Sequence, residues 1–320
     1  DVAPREQPFP LVLRSELIDI AAGVTDFTAT DALVLPVAVE LRAVYPHAHY
    51  LCTDMVAWAT LPSGSRLTLF EIHGWDFDWQ DDYHYRRPLR LPAGTRVEFE
   101  YTYDNSAENP HNPAVPPRRV RYGLESTDEM ATLSLTLVPD DPADRGMLPW
   151  AMARRAVERT PEEARAWVNL CVATREAPRA RGAEGEGDRL VEAAAHARRA
   201  LELDPSHPAA LRELGICRLQ QGDAERAERL LRRAVAADER ESIARMHLGE
   251  LLARSGRTTE AIVEFEAAVQ VHPNHAVLRN NLATALFIGD RLREAVVHYQ
   301  AATALDPEYF NSWFNLGRVL

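Results

Sequence analysis

Two histidines separated by one residue, His47 and His49 in YPHAHYL, are the strongest candidates for chemistry in this 320-residue chain. On an extended strand side chains alternate, so both imidazoles emerge on one face with α-carbons ~6.7 Å apart. Rings so placed reach a common metal ion, and neutral imidazole suits copper, zinc, iron or nickel. Two donors need a third. Cys52 has the opposite parity and points to the other face unless a bulge intervenes. Met55 has the right parity but lies ~20 Å further along an extended strand. A third donor must therefore come from another strand, where His73, His84, His111 and Met130 are available. A thioether beside two imidazoles favours Cu(I) over zinc, because soft sulfur is a poor zinc ligand.

The elements that would position these residues are strands. From Leu11 to about Pro139 the apolar spacing is mostly two, as in ALVLPVAVELRAV, SRLTLFEI, TRVEFEYTY and ATLSLTLV, with Gly and Pro clusters between the runs. This pattern predicts an antiparallel, jelly-roll-like β-sandwich over residues 1–141 with little helix. Trp75, Phe77 and Trp79 alternate in WDFDW and are predicted to pack in the sandwich core or between strands. Asp76, Asp78, Asp81 and Asp82 lack the spacing and glycine of a calcium loop and read as a solvated acidic edge. Asp128 and Glu129, beside Met130, are candidates for orienting a ligating histidine.

After a linker helix at 142–161, the composition turns to Ala, Leu, Arg and Glu at helical spacing with a fixed period. Leu214, Leu248, Leu282 and Leu316 are each 34 residues apart, and Gly215, Gly249, Ala283 and Gly317 follow them. Ala227, Ala261 and Ala295 recur at the same interval, as do Leu231, Phe265 and Tyr299, then Ala234, Ala268 and Ala302; Pro205, Pro273 and Pro307 close units. In period and in these columns residues 162–320 resemble tetratricopeptide repeats. Small residues let paired helices approach and large ones fill the neighbouring groove. The resemblance implies an α-helical solenoid that binds a protein or peptide, or only braces its neighbour. A first unit around Trp167, Leu170 and Ala193 is ten residues too long, the excess lying in PRARGAEGEG at 178–187, which is predicted to be a mobile loop. The remaining histidines of this half read as surface residues.

YPHAHYL, WDFDWQDDYHYRRPLRLPAGTRVEFEYTYDNSAENPHNP and VRYGLESTDEM together resemble the C-terminal domain of type II, ascorbate-dependent copper monooxygenases. That family holds its catalytic copper with the two histidines of an HxH strand and the methionine of a later S/T-D-E-M motif, which implies His47, His49 and Met130 as ligands here. The resemblance further implies O2 reduction at that copper, a reductant such as ascorbate or a cytochrome, and a periplasmic or secreted location. The family's second copper domain is not contained in these 320 residues, so the chain is expected to be a fragment carrying the O2-binding half-site. The arginine, asparagine and tyrosine with which peptide-hydroxylating members hold a substrate carboxylate are replaced by Tyr45, Thr132 and Ser134, so a peptidylglycine substrate is not implied.

Composition excludes other functions. All 36 basic residues are arginine, which removes phosphate loops and Schiff-base chemistry that need lysine. A net charge of −12 argues against a nucleic-acid binder, and residues 1–150 carry 12 arginines against 23 acids. No apolar run reaches the ~20 residues of a membrane span. Three scattered cysteines make no disulfide framework. Two classes compete with copper-dependent oxidation: a non-catalytic interaction scaffold, and a zinc hydrolase, which would require a carboxylate or histidine third ligand.

Overall fold

The computed structural model describes residues 8–178 and 186–320. Ten strands come first: β1 (Phe9–Ser15), β2 (Asp19–Ile20), β3 (Phe27–Val34), β4 (Val39–His47), β5 (Cys52–Thr60), β6 (Arg66–His73), β7 (Tyr83–Leu91), β8 (Arg96–Tyr103), β9 (Val120–Arg121) and β10 (Ala131–Pro139). They form two four-stranded antiparallel sheets, ordered β1-β10-β4-β7 and β3-β8-β5-β6, with β2 and β9 paired separately. Alternation builds the core between the sheets: Leu11, Leu13, Leu133, Leu135 and Leu137 from one, Ala57, Val97, Phe99, Tyr101 and Tyr103 from the other.

One irregularity decides which side chains face away from that core. Leu41 pairs with Leu137 and Ala43 with Thr136, so Arg42 is an extra residue, and the pairing of β4 with β7 is broken at the same place. Before the bulge Val39 and Leu41 point inward; after it Val44 and Pro46 oppose the inward Leu135 and Leu133. Tyr45 and His47 are thereby turned to the opposite face, with Ser134 and Thr132 across from them.

Trp75 is buried, as predicted for WDFDW, but the segment is no alternating strand. Residues 77–79 form a single 3-10 turn capped by the Asp76 carboxylate, which leaves Trp79 79 % exposed. The acidic side chain at 76 caps the turn and removes the extended geometry that alternation requires.

The chain divides after Met152, within α1 (Met147–Arg159), whose Leu148 joins the sandwich core. The second unit holds four helix pairs, α2 (Ala164–Glu176) with α3 (Glu186–Leu203), α4 (Pro208–Gln220) with α5 (Ala224–Ala237), α6 (Ser242–Arg254) with α7 (Thr258–Val271), and α8 (Ala276–Ile288) with α9 (Leu292–Leu305), then α10 (Phe310–Val319). The insertion predicted at 178–187 falls outside the described residues except for Pro178 and its last two positions, which open α3.

The 34-residue columns are contacts. A β-carbon on Gly215 would lie 3.0 Å from Leu231, and one on Gly249 2.8 Å from Phe265, so these glycines allow first and second helices to meet. A second column anchors four of the five first helices to the turn before them, α4 having Leu211 at that position. Trp167, Arg245, Arg279 and Trp313 each donate a side-chain N–H to the carbonyl six residues earlier. The α10 glycine, Gly317, has nothing within 4 Å of its would-be β-carbon.

This difference predicts opposite responses to added volume. Gly249→Val is expected to destabilise the array by about 1–3 kcal/mol through overpacking. Gly317→Ala is expected to gain up to about 1 kcal/mol of helix propensity. Urea unfolding followed by far-ultraviolet circular dichroism measures both, and equal effects would contradict the packing described.

Candidate functional site

The two histidines of the HxH segment lie on the outward side of the β1-β10-β4-β7 sheet, at the end where β4 stops. The prediction that both sit on one strand is corrected in part: β4 ends at His47, and His49 lies two residues beyond it. Their rings nevertheless stand 5.2 Å apart, edge to face. Glu129 accepts the backbone N–H of both His49 and Met130, which brings the segment after β4 beside the residues that lead into β10. All three predicted ligands therefore come from one corner, with His49 4 % and Met130 8 % exposed.

Each imidazole is held by its Nδ1. The Gln80 amide donates to the Phe77 carbonyl at 2.9 Å, which turns its Oε1 toward His47 to accept a hydrogen bond from His47 Nδ1. His49 Nδ1 donates to the Asp128 carbonyl at 3.1 Å. In a neutral ring a proton on Nδ1 leaves the lone pair on Nε2, the nitrogen through which such an imidazole ligates a metal. Burial, ahead of the opposing Asp128 hydrogen bond, pushes the His49 pKa down and favours its neutral form. Phe77 covers this ring edge to face at 5.6 Å, and Tyr45 stacks near His47 at 6.3 Å.

Glu129 fixes the segments to each other. Its carboxylate, fully buried, accepts backbone N–H groups from His49 at 2.9 Å, Leu51 at 2.6 Å and Met130 at 3.2 Å. Tyr103 Oη donates to the Met130 carbonyl at 2.6 Å and Tyr101 Oη to that of Thr132 at 3.0 Å, supporting the same corner from the core. The expectation that Asp128 and Glu129 orient a histidine is thus refined: Asp128 acts through its main chain, and Glu129 holds backbone on either side of the ligands. Gln80 gave no signal in the sequence, since it lies 33 residues from His47 and reaches it only by continuing the line of β7.

The other candidate donors do not converge here. His73 is exposed and paired with Asp54 and Glu71, and His84 and His111 are exposed. Met55 and Cys52 are buried in the sandwich core. Among the described residues no three His, Cys, Asp or Glu side chains converge to hold an ion, so the set a zinc hydrolase requires is not found among them. By donor softness, two imidazoles with a thioether would suit Cu(I) rather than zinc. Thr132 Oγ1, beside His47 in the pairing, is buried without a hydrogen-bond partner.

The array carries a second candidate surface. His247, Asn281 and Asn315 occupy one position of successive first helices, 34 residues apart. His247 Nδ1 lies 3.2 Å from Glu250, whose other oxygen accepts from Asn281 at 3.0 Å, while Asn315 donates to Asn280 at 3.2 Å. A half-buried polar spine thus runs along α6, α8 and α10. The 34-residue reading did not single it out, because its column holds no signature residue.

Residues 188–238 and 218–276 match the tetratricopeptide repeat family. No curated protein matches. The chain is similar to solved structures of MamA 41-end from Desulfovibrio magneticus RS-1 (22% identity, 49% of this chain and 82% of that one, TM-score 0.41) and PilF of Pseudomonas aeruginosa (21%, 51% and 69%, TM-score 0.44).

Glu129 makes this corner sensitive to pH. Burial raises its carboxyl from the ordinary 4.5 to about 7, against the three N–H donors that lower it. A raised pKa means that the folded state binds the proton more tightly. The stability so gained is present in full below pH 4.5 and is lost as pH climbs to about 7, a loss on the order of 3 kcal/mol. Glu129→Gln is expected to flatten that part of the stability profile. Glu129→Ala should cost about 3 kcal/mol or more, because three buried N–H groups lose their acceptor. Chemical denaturation between pH 4 and 8 reads both effects, and an unchanged slope in Glu129→Gln would refute the assignment.

Proposed function

We propose that this protein is an interaction scaffold whose helical array captures a protein or peptide segment along the polar spine of its first helices. The observation that carries this reading is the spine: amide groups recur in register with the repeat and keep hydrogen-bonding capacity at a half-exposed surface. An amide is both donor and acceptor, so it can bond the backbone of an extended segment whatever the side chains beside it. Saturable binding to immobilised extended peptides is expected, tolerant of their sequence and weakened about tenfold or more by Asn281→Ala with Asn315→Ala. Arg229→Ala, an exposed substitution on α5, should change nothing. Binders indifferent to the double variant would refute the reading.

The two Nδ1-anchored imidazoles favour a second reading, in which the β-sandwich holds copper through His47, His49 and Met130. Copper there would supply redox chemistry with O2, and the scaffold would bring it to a bound partner, in an oxidising compartment outside the cytoplasm. Gln80 and the Asp128 carbonyl would keep both rings aimed, Glu129 would hold the distance between the two ligand segments, and Phe77 would limit water at His49. One Cu(I) per chain with metal–sulfur scattering in X-ray absorption is the expected result. His47→Ala should abolish it and Met130→Leu should remove the sulfur signal, with the helical circular dichroism intact. Full copper content in His47→Ala would exclude this site.

A further inference from the structure

We propose that the cavity between α2, α3 and α4 binds a phosphate group, carried by a small molecule or by a phosphorylated side chain. The cavity has a volume of about 720 Å3 and is lined by Arg175, Arg189, Arg218, Gln220, Gln221 and Val191, among others. Three guanidinium groups border it, and among the described residues that line it there is no carboxylate.

Two of the three, Arg189 and Arg218, have no carboxylate partner among the described residues. Arg189 Nη1 is buried with no hydrogen-bond partner, and so is Arg175 Nε. A buried donor left unmade costs free energy that an arriving acceptor recovers. Arg175 is partly neutralised, at 3.0 Å from Glu176 and 3.3 Å from the buried Glu213, which Arg212 also engages at 3.0 Å. Arg218 donates to the neutral amide of Gln221 at 2.8 Å and so keeps its charge uncompensated there.

Donor count selects the ligand class. Guanidinium forks match oxyanions bidentately, and three of them with two glutamine amides present more N–H groups than the two oxygens of a carboxylate can accept. A phosphate offers three free oxygens and up to two negative charges. The volume leaves room for the group that bears it.

The test uses the full chain at fixed ionic strength in chloride buffer, titrated calorimetrically with inorganic phosphate, pyrophosphate and phosphoserine. Saturable binding of at least one probe is expected, and the order of affinities separates a free ion from a phosphorylated side chain. Arg189→Gln removes no internal partner and should weaken binding about ten- to a hundredfold, the factor carried by one hydrogen bond to a charged group. Val191→Glu, at a position 56 % exposed, should do the same by placing a carboxylate at the cavity. Arg229→Gln, exposed and paired with Glu225 on α5, should leave it unchanged. No saturable binding by any probe, or equal weakening in Arg229→Gln, would overturn the proposal.

Discussion

The geometry of the sandwich corner depends on one buried carboxylate. Glu129 gives its two oxygens to three backbone N–H groups, two on the segment after β4 and one at Met130. Neither segment is regular there: β4 has ended at His47, and β10 begins only at Ala131. Sheet hydrogen bonds therefore cannot set the distance between His49 and Met130, and the carboxylate replaces them. Burying it costs desolvation, which is why its proton is held so firmly. The three donors offset part of that cost, and a side chain that must satisfy three fixed N–H groups has little freedom to move.

The same corner shows what a sequence can reveal about a site. The HxH spacing was legible because strand alternation makes it meaningful, and the rings do stand together. Which face they occupy was not legible. Without the bulge at Arg42, His47 and His49 would share the parity of Val39 and Leu41 and point into the core. A single inserted residue leaves no mark in the alternation of ALVLPVAVELRAV, because Ala43 and Val44 are both apolar. The anchors of the rings were equally hidden, one being a main-chain carbonyl, which every residue has, and the other a glutamine distant in sequence.

In the array legibility runs the other way. The 34-residue period was visible because steric contacts impose it: Gly215 against Leu231 and Gly249 against Phe265 leave no space for alternatives. Those contacts lie between helices and repeat because every unit solves the same packing problem. A binding surface is under no such constraint. The column of His247, Asn281 and Asn315 keeps polarity while changing residue, and Glu213 stands in the same register one unit earlier. Packing residues are legible from repetition, and contact residues only once the helices have been placed.

The arginines make a related distinction. With no lysine in the chain, the guanidinium fork is the basic group throughout, and several in the array hold carboxylates across or along helices. Arg257 bridges Glu228 and Glu260, Arg291 bridges Glu266 and Glu294, and Arg245 pairs with Glu264. Exposed pairs of this kind contribute little singly and act as a network that fixes one repeat upon the next. Arg189, with a buried N–H left unbonded and no carboxylate partner among the described residues, does not belong to that network. Its burial is unfavourable as it stands, so the folded chain carries a cost at Arg189 that the staples elsewhere do not incur, and an anion is the chemistry that removes it.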